Sequence, residues 1–198
     1  LNEMYFLGIY YSTFYLLVRL TFHMGKYIEQ YKQMYYCGDM LFYWLGDICK
    51  LIDLTEAKSL LDFGCGRGKQ YSGWGDLDAQ AHLGMMPALY DPGVEQFEKM
   101  PDGKFDGVYS TDVMEHIPEE ELPESLELIF SKANKFVYLA ICTSPSMATL
   151  PNGENAHCTL EDIDWWKEIV NRYRPTDILT HIRTYNQDDQ SENYKVIA

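Results

Sequence analysis

Hydrophobic positions recur with two different periods along this chain. Between residues 25 and 53 apolar side chains fall three and four apart, at Tyr27, Ile28, Tyr31, Met34, Tyr35, Leu41, Trp44, Leu45 and Ile48. That spacing predicts helix, and Gly38-Asp39 predicts a break into two. Short continuous apolar runs follow, as in strands buried on both faces. Ser59–Phe63 is one, ending in three glycines; Pro87–Asp91, Phe105–Ser110 and Phe136–Cys142 are the others. A helix is expected from about Lys69, although Gly73 and Gly75 weaken its later part. Another is expected over Pro118–Ala133, with its glutamates at the end the helix dipole favours. The run Glu119–Glu121 reads as the solvated start of that helix.

Residues 143–158 are rich in Pro, Ser, Gly and Asn and read as a loop. Thr159 is then the expected N-cap of a helix running through Trp165, Trp166 and Ile169 to about Tyr173. The two tryptophans are adjacent, so they face different sides, one to the core and the other to a substrate or subunit. Residues 178–185 and 194–198 read as strands joined by the polar turn NQDDQSEN. Strands alternating with helices predict an α/β fold, a mostly parallel sheet with a C-terminal antiparallel hairpin.

The N-terminus stands apart. Residues 4–18 carry no charge but are shorter than a membrane span. They lack the basic region and cleavage site of a signal peptide. We read residues 1–23 as an apolar extension, buried or facing a second copy in a homodimer, with Met24 as a natural start. Residues 24–198 then form a single domain with a helical N-terminal cap, a size that can bury a core.

Charge narrows the partners. Sixteen basic against 30 acidic side chains give a net charge of −14, which repels phosphate backbones, so no nucleic acid is expected. A small-molecule substrate is compatible with it. The five cysteines are odd in number and form no CxxC pair, which fits reduced thiols in a cytoplasmic protein.

The sharpest motif is LLDFGCGRG at residues 60–68. Glycines let the backbone turn tightly and approach a ligand, and a following helix N-terminus would offer unpaired N–H groups to an anion. The spacing is neither GxGxxG nor a phosphate-binding GxxxxGK[ST] loop. LLDFGCGRG resembles the first motif of class I S-adenosylmethionine-dependent methyltransferases. LYDPGV (89–94) resembles their second-strand motif, and FDGVYSTDVMEHIP (105–118) the strand motif lining their methyl-transfer pocket. LPNGENAHCTLEDIDWW (150–166) resembles a loop and helix of an uncharacterised bacterial subgroup.

The resemblance implies a Rossmann-like fold, S-adenosylmethionine as cofactor and methyl transfer to an oxygen of a small acceptor. It implies a cofactor site made of Asp62, Gly64, Cys65, Gly66, Gly68, Asp91, Thr111 and Asp112. Gly64 and Gly66 would face the methionine part, Asp62 would order the loop and the bound amino group, and Asp91 would accept the ribose hydroxyls. On its residues alone, Asp91 also reads as a turn residue in Asp-Pro-Gly. One departure matters: only residues 92–104 separate Asp91 from the next strand, so the family's usual third strand, with its adenine-contacting acid, has no place. Phe97 or Met100 would cover adenine instead.

His116 and Asp112 are the catalytic candidates. A histidine titrates near neutrality and serves as a base, or else simply bonds to a nearby carbonyl or acid. Asp112-x-x-Glu115-His116, with His157 from a distant loop, also resembles metal-assisted O-methyltransferases, where a hard cation would activate a hydroxyl. Two other classes stay open: a non-catalytic cofactor-binding scaffold, and an oxidoreductase of similar fold.

Overall fold

A computed structural model describes residues 25–73, 78–188 and 191–197. The apolar extension 1–23, with its Tyr10 and Tyr11, lies outside the described residues. Five α-helices are described: α1 (Gly25–Tyr31), α2 (Leu45–Thr55), α3 (Ala79–Leu83), α4 (Leu122–Lys132) and α5 (Ile163–Tyr173). The strands are β1 (Leu60–Phe63), β2 (Ala88–Tyr90), β3 (Phe105–Thr111), β4 (Ala133–Cys142), β5 (Leu179–Tyr185) and β6 (Glu192–Ile197). They form one sheet in the order β2-β1-β3-β4-β5-β6, parallel except for β6, which pairs antiparallel with β5 at the edge. This is the mostly parallel α/β sheet with a terminal hairpin that the pattern predicts.

Successive strand residues point to opposite faces, and the core divides accordingly. Leu61, Val108, Val137 and Leu139 join Leu126 of α4 and Trp166 of α5 in one cluster. Leu60, Tyr109, Phe136 and Tyr138 join Ile48 of α2 and Leu83 of α3 in the other. The sheet is thus covered on both sides, which is why its central strands read as unbroken apolar runs.

Three expectations are corrected in detail, and a fourth, the absence of the usual third strand, is borne out. The glycine loop opens not into an α-helix but into a single 3₁₀ turn at Lys69–Tyr71. No strand forms in residues 92–104, which hold only a 3₁₀ turn at Glu95–Phe97, so the missing third strand is a real feature of this chain. The N-cap of α5 is Asp162, whose carboxylate accepts from the Trp165 N–H at 2.9 Å. Thr159 instead donates its hydroxyl to the Ile117 carbonyl at 2.7 Å. Strand β4 begins at Ala133, directly after α4, despite the polar Asn134 and Lys135. No helix among the described residues is long and apolar enough to cross a membrane.

Candidate active site

The carboxyl ends of β1, β2 and β3 converge on one cavity of about 470 Å³, roofed by α1 and the 143–158 loop. That volume lies in the range of small-molecule sites, about 300–1,000 Å³. Gly64, Gly66, Asp91, Thr111, Asp112 and His116 all line it. Cys65 and Gly68 do not; Cys65 is buried and Gly68 packs beneath Leu89 and Phe97.

The glycine loop is held by its neighbours rather than left open. The amides of Gly64 and Cys65 donate to the Tyr90 carbonyl at 2.7 and 3.1 Å. Those of Arg67, Lys69 and Gln70 donate to the carbonyls of Tyr36, Cys37 and Gly38. The expected row of unpaired N–H groups is therefore absent from this turn. Gly64 has φ +88°, and a Cβ there would sit 2.2 Å from Val113 Cγ2, so glycine is required for the loop to pass that side chain.

Asp91 closes the loop from the second strand. Its Oδ2 accepts from the Gly66 N–H at 2.8 Å and its Oδ1 from the Gly93 N–H at 2.8 Å. Each carboxylate oxygen keeps a second lone pair for a ligand. Burial holds the Asp91 pKa above its ordinary value, and the two amides partly offset this. Both readings of Asp91, turn residue and ligand acceptor, are compatible with this geometry.

Asp62 sits outside the cavity. Its Oδ2 accepts from Tyr71 OH at 2.6 Å and from Gln70 Nε2 at 2.8 Å, while Oδ1 is buried with no partner among the described residues. Burial pushes its pKa up to about 7. It braces the 3₁₀ turn behind the glycine loop.

Asp112 follows β3 with φ +57°, a left-handed conformation that Asp tolerates better than most residues. Its Oδ1 accepts from Tyr185 OH and its Oδ2 from Trp44 Nε1 at 3.5 Å. Burial lifts its pKa to about 6, with the Tyr185 and Trp44 bonds acting against the rise.

The neighbouring histidines are fixed in one tautomer each. His116 Nδ1 lies 2.8 Å from the Ala156 carbonyl and His157 Nδ1 lies 2.6 Å from the Ser144 carbonyl. A carbonyl only accepts, so both Nδ1 atoms carry hydrogen, which leaves Nε2 as the lone-pair nitrogen of a neutral ring. Burial and the adjacent His157 push the His116 pKa down to about 4. Glu115 is fully buried beneath them, its Oε1 accepting from the Cys142 N–H at 3.0 Å and its Oε2 without a partner among the described residues. Burial and the Asp112 charge raise its pKa well above the carboxylate range. Ligand atoms of Glu115, His116 and His157 lie within 4.8 Å of one another. Asp112, held by Tyr185 and Trp44, is not in that group.

A family model for a methyltransferase domain matches residues 43–190. The chain belongs to that methyltransferase family. No curated protein and no solved structure matches the chain. As a methyltransferase of the S-adenosylmethionine-dependent class, it is an enzyme and stands apart from both the scaffold and the oxidoreductase readings.

Several residues facing this methyltransferase's cavity escaped the sequence. Arg67 lines it, its guanidinium 4.6 Å above the Tyr35 ring and without an ion pair among the described residues. Its signal was its place inside the glycine motif. Tyr31 crosses from α1 to donate its hydroxyl to the Ala156 carbonyl at 2.6 Å. Glu121 also lines the cavity and is buried, whereas Glu119 and Glu120 are exposed as expected of the whole run. Of the two adjacent tryptophans, Trp166 is core, and Trp165 packs edge-on against it away from the cavity. Phe97 and Met100 do not line the cavity either.

Proposed function

We propose that this methyltransferase moves a methyl group from S-adenosylmethionine to an oxygen nucleophile of a small, largely apolar molecule. One observation carries the reading: one cavity is lined by the glycine turn, Asp91, Asp112 and His116 together. The donor set fits the cofactor. Arg67 offers a cation to its carboxylate, and Asp91 has lone pairs free for its ribose hydroxyls. Bound there, S-adenosylmethionine supplies a methyl electrophile, and alignment of the acceptor is then most of the protein's task.

Ile28 and Met34 give the cavity apolar walls. Asp112 is the proton acceptor. With a pKa near 6 it is mostly ionised at neutral pH, and Tyr185 and Trp44 fix its orientation. His116, with a pKa near 4, is neutral and a weaker base, so it presents a lone pair rather than taking a proton. Calorimetry with S-adenosylmethionine and S-adenosylhomocysteine tests the donor site. Asp91→Ala is expected to weaken binding about tenfold or more, equivalent to ~1.4 kcal/mol. Folded wild type that binds neither compound would sink the proposal.

A second reading is favoured by the Glu115, His116 and His157 cluster. Two imidazole nitrogens and one carboxylate oxygen form a set that suits a divalent transition metal better than a hard cation. Such an ion would lower the pKa of an acceptor hydroxyl, leaving Asp112 to receive the proton. Chelator-treated protein is then expected to bind Mn²⁺ or Zn²⁺, and His157→Ala to lose the metal while keeping the donor. Transfer at full rate without metal would leave the metal-free reading standing.

A further inference from the structure

With no strand between Asp91 and Phe105, the adenine-contacting acid that the family resemblance implies has no counterpart there. Neither Phe97 nor Met100 fills the gap. The Phe97 ring packs over Gly68, and Met100 packs on the core cluster beneath α4. Val94, Pro118, Glu121 and Ser125 line the same cavity as Asp91.

Glu121 is out of keeping with its surroundings. It is 8% exposed, although its neighbours Glu119 and Glu120 are on the surface. Among the described residues its carboxyl has no hydrogen-bond or ion-pair partner. Yet its oxygens are not sealed in protein: unlike Glu115 Oε2 and Asp62 Oδ1, they are not among the fully occluded unpartnered atoms. Glu121 itself lines the cavity. Burial and the charges of Glu120 and Glu124 raise its pKa to about 7. A buried acid without a partner costs stability, and that cost is recovered when a ligand brings N–H donors to it. Ser125 lies one turn further along α4, also buried and also on the cavity.

We infer that Glu121, with Ser125 beside it, recognises the exocyclic amine of the donor's adenine in place of the missing third-strand acid. The inference rests on the proposed S-adenosylmethionine site. Adenine presents an amine donor next to a ring-nitrogen acceptor. A carboxyl accepts from the first, and a hydroxyl or a protonated carboxyl donates to the second. Val94 and Pro118 supply the apolar surfaces for the ring.

The test compares two probes by calorimetry: S-adenosylhomocysteine, and its analogue with hydrogen in place of the 6-amino group. Wild type is expected to prefer the amine about 10- to 100-fold, the range set by one unpaired buried polar group. Glu121→Leu is expected to bring the two within about threefold by weakening only the amino compound. Glu121→Gln keeps an acceptor and is expected to keep the preference, which a merely structural role would not produce. Should Glu121→Leu fail to fold, Glu121→Ala takes its place in the same comparison. A wild type without preference, or an apolar variant that retains it, overturns the assignment of Glu121 while leaving the donor site intact. A folded wild type that binds neither probe overturns the donor site itself, and this assignment with it.

Discussion

Buried carboxyls dominate the chemistry of this chain at the scale of single residues, and Asp62 isolates the effect. Its folded pKa of about 7 lies above the ordinary 3.8 because burial outweighs the bonds from Tyr71 and Gln70. The unfolded chain therefore releases this proton first as pH rises. The stability Asp62 contributes is fully present below about pH 4 and is lost as pH climbs through 7, a change of about 4 kcal/mol. His116 carries the opposite sign. Its pKa is depressed to about 4, so its contribution is present above its ordinary 6.5 and is lost as pH falls toward 4. The two slopes offset in wild type, which makes a difference between variants the better probe. Asp62→Asn cannot ionise and keeps an acceptor for Tyr71. Its stability relative to wild type is expected to rise by about 4 kcal/mol from pH 4 to pH 8, measured by urea unfolding. A difference that stays flat with pH would mean Asp62 titrates normally.

Elements were legible where periodicity carried them and illegible where one side chain decided. The strands showed as apolar runs because both sheet faces are covered, and the break at Gly38-Asp39 falls where α1 gives way to α2. The helix after the glycine loop did not form because residues 36–38 supply carbonyls to the amides of Arg67, Lys69 and Gln70, a tertiary contact no local pattern encodes. Glu121 looked solvated because two exposed glutamates precede it, yet it sits at the N-cap of α4, four residues before Ser125, and both line the cavity. The cap of α5 was misplaced by three residues because Thr159 and Asp162 are both good caps, and the Ile117 carbonyl claims the threonine. Asp162→Ala is accordingly expected to cost about 1 kcal/mol, and Asp162→Asn much less. Thermal melts of the two variants check this, and equal loss in both would place the role of Asp162 outside the cap.

At the scale of the whole molecule, the roof of the cavity leans on the rest of the chain. The described residues of α1 number 7, and alone so short a stretch falls below the ~12–15 at which an isolated helix holds together in water. It stays in place through contacts with the rest of the chain. The Tyr31 hydroxyl is the central one: it donates to the Ala156 carbonyl at 2.6 Å and lies 3.1 Å from His116 Nδ1. One bond thereby joins the roof of the cavity, the 143–158 loop and the histidine of the candidate site. Tyr31→Phe keeps the ring and removes that tie. The Ala156 carbonyl stays satisfied by His116, so the cost is that of one ordinary hydrogen bond, about 1 kcal/mol. Because α1 contributes nothing to the buried core clusters, that cost should appear as local opening and not as global unfolding. Hydrogen exchange is expected to speed about fivefold in the α1 amides and to stay unchanged in β3 and β4. Donor dissociation should quicken by a similar factor, with association nearly constant. Faster exchange across the sheet as well would show that Tyr31 supports the fold at large and that the roof does not open on its own.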